Sequence, residues 1–153
     1  MERVSWSRFT TLLQACARDV LVSDYRPNVV VGVLGEGVLA ASIIAKLLAV
    51  EELAVLAVRH RSHMPPYEVV QEPPRVEGLM PDGQYVAQRR ILLVDALVRS
   101  GKTLRTAADW LYERGAIEVR TLAPIVLEEA DYEPDYYAMC IPGPVLMPWD
   151  LLY

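Results

Sequence analysis

Asp95 and the run Ser100-Gly101-Lys102-Thr103 are the residues whose types and spacing could do chemistry. A glycine set among hydroxyls and a lysine, and leading into a helix, suits an anion. The first N–H groups of a helix lack internal partners and sit at the positive end of its dipole, so a phosphate is well placed there. The flanking residues say which elements present these groups. Ile91, Leu92, Leu93 and Val94 form an apolar run too short for a helix, which predicts a strand buried on both faces. Asp95 ends that strand with a charge. Leu104, Ala107, Ala108 and Leu111 recur at intervals of three and four, which predicts a helix over residues 102–114 stopped by Gly115. A P-loop would need a glycine five residues before Gly101, and Ala96 stands there. An ordinary strand-to-helix turn would give the same local pattern.

A second unit repeats the arrangement. Residues 29–34 form an apolar run that enters Gly35-Glu36-Gly37, and a helix over residues 38–50 follows, so rich in Ala, Leu and Ile that burial all round is expected. The paired glycines suit either an anion or close packing of helix on strand. Trp6, Phe9, Leu12, Leu13, Cys16 and Val20 predict an amphipathic first helix with Ser5 or Ser7 near its start. Residues 53–58 predict a third strand, and residues 119–126 another that Pro124 confines to a sheet edge or a bulge. Helices alternating with four or five apolar strands predict an α/β fold, a doubly wound and mostly parallel sheet with helices on both faces. Such sheets bind ligands at the carboxyl ends of their strands, where both glycine loops fall.

Between these units, residues 59–90 are polar and punctuated by Pro65-Pro66, Pro73-Pro74 and Pro81, as in functional or mobile excursions. His60 and His63 are three residues apart, but no third metal ligand is near. With Arg59 and Arg61 they read better as a basic rim that collects a phosphorylated substrate. At 153 residues the chain fits one domain spanning 1–153 and can bury roughly 70% of its unfolded surface. A hydrophobic content of 53% argues against disorder, and no apolar run approaches the ~20 residues that cross a bilayer. The opening Met1-Glu2-Arg3 has no apolar segment after it, so no secretory signal is read and a cytoplasmic setting is expected. A net charge of -5 without a basic cluster gives no footprint for nucleic acid.

Taken together, Val94-Asp95 and Ser100-Gly101-Lys102-Thr103 resemble the phosphoribosyl pyrophosphate (PRPP) signature of type I phosphoribosyltransferases. The tail is similar to the C-terminal hood of the xanthine, guanine and hypoxanthine members, in Pro134-Asp135-Tyr136-Tyr137 and Pro148-Trp149-Asp150. The resemblance covers roughly residues 29–150, with the hood at about 128–153 and a mobile active-site hairpin within 59–90, where relatives often carry a Ser-Tyr pair. Here Ser62 and Tyr67 are separated. The resemblance implies a purine-salvage enzyme that moves 5-phosphoribosyl from PRPP to a nucleobase, with Mg2+ as cofactor and a homodimeric assembly. It implies that Asp95 holds the ribose hydroxyls, directly or through Mg2+. Val98, Arg99, Ser100, Gly101, Lys102 and Thr103 would bind the 5′-phosphate, and Gly35, Glu36 and Gly37 would lie at the pyrophosphate. Val145 and Trp149 would wall the base pocket.

The departures point toward purine transfer that is weak or absent. Ala96 stands where relatives carry a second acid and Arg99 where purine members often carry an aspartate. Glu36 replaces a small residue, Leu127 a lysine that meets the purine oxygen, and Pro144 the stacking aromatic. Each ~1.4 kcal/mol lost is tenfold in rate or affinity. A non-catalytic relative that binds PRPP or a nucleotide, as a sensor or partner subunit, is the alternative these positions raise.

Overall fold

The computed structural model describes residues 1–59 and 73–150. His60, Arg61, Ser62, His63, Pro65-Pro66 and Tyr67 lie outside the described residues. In chain order the elements are β1 (Glu2–Arg3), α1 (Trp6–Val22), β2 (Val29–Val33), α2 (Glu36–Leu47) and β3 (Glu52–Arg59), then β4 (Arg75–Met80), β5 (Arg90–Val94) and β6 (Leu97–Val98). They continue through α3 (Lys102–Glu113), β7 (Glu118–Leu122), β8 (Ile125–Leu127), β9 (Met139–Ile141) and β10 (Val145–Leu146). Five strands form the main sheet in the order β4-β3-β2-β5-β7. All its pairs are parallel except β3 with β4.

Successive side chains of a strand point to opposite faces, and the interior strands β2 and β5 are apolar on both. Val30, Leu92 and Val94 share a core with Phe9, Leu13 and Cys16 of α1 and Ala40, Ala41 and Ile44 of α2. Val29, Val31, Ile91 and Leu93 share another with Leu104, Ala107 and Leu111 of α3. Helices therefore cover both faces of a mostly parallel sheet, as the sequence predicts. Helix α1 starts where expected, with the Ser5 hydroxyl accepting from the Arg8 N–H at 3.1 Å. No helix among the described residues is long and apolar enough to cross a membrane.

Two expectations are corrected. The strand expected over residues 119–126 is two strands in two sheets. β7 is the edge of the main sheet, whereas β8 is the middle of a second, parallel sheet ordered β6-β8-β9. Pro124 sits at the break, where it has no N–H to give a ladder, and its carbonyl accepts from Ala138 (3.2 Å) and Met139 (3.1 Å). Helix α2 begins at Glu36 and is not buried all round, since Leu39 and Leu47 are exposed. Within the polar excursion, where the resemblance implies a hairpin, β4 is a regular strand paired antiparallel to β3 with a register shift between Ala57 and Val58.

Candidate active site

Parallel pairing of β2 with β5 sets Val33 and Val94 at the same end of the sheet, and the loops that leave these strands meet over a pocket of about 510 Å³. Glu36 enters from the first loop and Asp95 through Gly101, with Thr103 and Leu104, from the second. Met147, Trp149 and Asp150 enter from the tail. Three stretches distant in sequence thus bound one cavity.

Asp95 is tied to the neighbouring strand by its N–H, which donates to the Leu122 carbonyl at 3.0 Å. Its Oδ1 accepts the Ala96 N–H at 2.8 Å. The side chain keeps some surface toward the pocket but is otherwise ringed by protein. That burial pushes its pKa up to about 7 against the pull of the Ala96 hydrogen bond, and the charge of Glu36 pushes it the same way. Gly37 allows this crowding. A Cβ there would stand 3.2 Å from Asp95 Oδ1 and 3.1 Å from the Val94 carbonyl oxygen, so the start of α2 lies directly against the end of β5. Ala96 is 1% exposed and belongs to the core shared with α1 and α2.

The turn into α3 is built on Gly101, the N-cap, in the left-handed conformation at φ 90°. Ser100 Oγ accepts weakly from the Lys102 N–H at 3.3 Å. Arg99, Ser100 and Lys102 are exposed, whereas Val98, which also lines the pocket, is buried in the core with Leu104 and Ala123. Gly101 has no side chain to cap α3, so the long bond from the Lys102 N–H to Ser100 Oγ stands in the place of a cap.

On the tail side, Trp149 packs edge-on against Phe9 (ring centroids 5.2 Å apart) and Trp6 (5.9 Å) while also lining the pocket. Asp150 Oδ2 accepts the Met147 N–H at 2.8 Å and closes the turn that holds Trp149. Val145 lies in the core, paired with Glu2 in the small parallel sheet of β1 and β10. Gly35 caps α2 at φ 104° with open space around it. Leu127 is buried in β8, and Pro144 is exposed. Sequence reasoning missed Leu97, Leu104, Met147 and Asp150 as pocket residues. The Pro-Trp-Asp run pointed at the segment but not at the role of Asp150 in shaping it.

Among the described residues, no group of three His, Cys, Asp or Glu could hold a metal ion. Three carboxylates, Asp95, Glu36 and Asp150, do line the pocket; Asp150 accepts the Met147 N–H, and none of the three is in a salt bridge among the described residues. This donor set fits Mg2+, which commonly takes one or two carboxylates and completes its shell with water and substrate phosphates.

The sequence model of the phosphoribosyl transferase domain matches residues 5–149. Comparison with curated proteins gives no match by sequence. Among solved structures, a purine phosphoribosyltransferase from Pyrococcus horikoshii Ot3 is 21% identical with a TM-score of 0.81, over 97% of this chain and 92% of that one. A hypothetical protein from Neisseria gonorrhoeae with bound ppGpp is 14% identical with a TM-score of 0.82, over 99% and 90%. The Helicobacter pylori xanthine-guanine-hypoxanthine phosphoribosyltransferase is 16% identical with a TM-score of 0.79, over 98% and 93%. At these identities the likeness is one of fold.

Proposed function

The chain belongs to the phosphoribosyl transferase domain family, and from that premise we propose that it transfers 5-phosphoribosyl from PRPP to a purine-class nucleobase and releases pyrophosphate. The observation that carries this reading is the single pocket lined by Glu36, by Asp95 to Gly101 and by Trp149. Carboxylate, anion turn and aromatic wall are thereby within reach of one ligand. A base nitrogen forms a bond to the anomeric carbon. The bond from that carbon to the pyrophosphate oxygen breaks, its electron pair leaves with pyrophosphate, and the base nitrogen loses its proton to solvent.

In this reading residues 98–103 hold the 5′-phosphate through backbone N–H groups and the charges of Arg99 and Lys102. Asp95 holds the ribose hydroxyls, and Gly35, Glu36 and Gly37 lie at the pyrophosphate. Trp149 walls the base, packed on the core that contains Val145. Mg2+ bound by Asp95 and Glu36 would neutralise charge on the departing pyrophosphate. The rest of the catalytic effect comes from holding the two reactants in line. The exposed Trp6, Leu34 and Leu39 support a homodimer, working in the cytoplasm.

Calorimetry with Mg-PRPP tests the first step. Saturable binding is expected, and Asp95→Asn should weaken Mg2+-dependent PRPP binding while leaving inorganic phosphate binding nearly intact. No affinity for PRPP, a nucleoside monophosphate or phosphate would refute the assignment.

A second reading, a non-catalytic relative that binds PRPP or a nucleotide as a sensor or partner subunit, is favoured by Ala96. Its methyl group fills the core, so no second carboxylate follows Asp95. The Neisseria neighbour, with ppGpp bound, carries a nucleotide on the same fold. PRPP binding without base-dependent release of pyrophosphate would select this reading.

A further inference from the structure

We propose that Tyr132, a residue outside the pocket, is the positioning residue that sets the anion-binding turn at Gly101, an inference that rests on assigning residues 98–103 to phosphate. Gly101 is buried, and a Cβ added to it would stand 1.9 Å from Tyr132 Cβ and 2.6 Å from Tyr132 Cγ. The left-handed turn is therefore pressed directly against the tyrosine, with only a hydrogen atom's space between them. Tyr132 is itself fixed at its far end and across its face. Its hydroxyl is 2.8 Å from Thr121 Oγ1. The Thr121 N–H donates to Asp135 Oδ2 at 2.8 Å, and the Asp135 N–H donates to Thr121 Oγ1 at 3.2 Å. Thr121 is a buried residue of β7. The Arg105 guanidinium lies 5.6 Å from the Tyr132 ring centroid and donates to the Asp131 carbonyl at 3.1 Å. Arg105 belongs to α3, the helix that the turn opens. A continuous set of contacts thus runs from the rigid sheet through Thr121, Asp135 and Tyr132 to Gly101, and returns through Arg105 to the same helix. A glycine at a helix start is intrinsically free to change its backbone angles. Here Tyr132 Cβ and Cγ close off the alternatives, so the backbone of the turn stays set for a phosphate with little ordering cost on binding.

Amide hydrogen exchange, with calorimetric titration of ribose 5-phosphate and of pyrophosphate, tests this on the wild type, Tyr132→Gly and Tyr132→Phe. Tyr132→Gly removes Cβ and Cγ, the atoms that press on Gly101, and exchange at residues 99–103 should then quicken by ~10-fold or more relative to β2 and β5. Affinity for ribose 5-phosphate should fall by ~10-fold or more, while affinity for pyrophosphate, held by the first loop, stays within about twofold. Tyr132→Phe keeps those atoms and the ring on Gly101 and should restore most of both. Folded Tyr132→Gly with unchanged exchange at residues 99–103, or with equal losses for the two ligands, overturns the inference. Should Tyr132→Gly fail to fold, Tyr132→Ala, which removes Cγ and the ring but keeps Cβ, must give the same changes in smaller measure, and no change there overturns it. A wild type that binds neither ligand defeats the phosphate assignment instead, and exchange alone then decides the role of Tyr132.

Discussion

Asp95 has a pKa pushed up to about 7 from an ordinary 3.8, and this bears on both stability and ligand binding. Below about pH 4 the carboxyl is protonated in folded and unfolded chains alike, and the stability it contributes is fully present. Between about 4 and 7 the unfolded chain gives up this proton while the folded chain keeps it, so stability falls as pH rises, by at most ~1.4 kcal/mol per unit. Urea unfolding in metal-free buffer from pH 4 to 8 should show this decline in the wild type and a flatter curve in Asp95→Asn. Parallel curves would contradict it. Restoring the second acid is not a simple repair either. Ala96 is in the core, so Ala96→Asp should destabilise by roughly 3 kcal/mol or more, seen as a lowered urea midpoint, rather than raise activity. An undiminished midpoint with faster transfer would show that the new carboxylate reaches the pocket. The sequence marked Asp95 because a charge ends an apolar strand. Its protonation was not legible, because that depends on Gly37 and Glu36 approaching from another loop.

Strand, turn and helix around residues 91–113 were legible because the cues are local: a short apolar run, a glycine and a helical stripe. The second sheet was not. Its strands β6, β8 and β9 have two or three residues each and pair only through contacts distant in sequence. Periodicity cannot register such short elements, and Pro124, read as the mark of a sheet edge or a bulge, is the boundary between an edge strand and a second sheet. The turn at Gly101 carries a sharp expectation. Gly101→Ala faces a left-handed backbone angle that costs a side chain ~1–2 kcal/mol and a collision with Tyr132. Total destabilisation should be about 3 kcal/mol, measured by urea unfolding, together with loss of phosphate affinity. A variant as stable as the wild type would mean that turn and tyrosine part easily. Val145 and Trp149 show the same limit of local reading. Both sit in the tail, but only nonlocal packing decides that Val145 enters the core while Trp149 reaches the pocket.

For the whole molecule, the α/β alternation was enough to bring the two glycine loops together at the carboxyl ends of β2 and β5, where they meet over one pocket. The seat of the tail against α1 was not deducible, because the Trp6, Phe9 and Trp149 cluster joins the two ends of the sequence. The proposed homodimer would cover the exposed apolar residues of α2 and the neighbouring Leu34. Light scattering at micromolar concentration should give twice the 17.2 kDa of the chain, and a monomer would remove the homodimer from the account. The central claim concerns group transfer in the Asp95 pocket. Its most direct test is the initial rate of pyrophosphate release from saturating Mg-PRPP with hypoxanthine, guanine, xanthine and adenine in turn. Release that depends on at least one base is predicted, slow for this family and lowered ~10-fold or more by Asp95→Asn. PRPP binding with no base-dependent release for any of the four would contradict it.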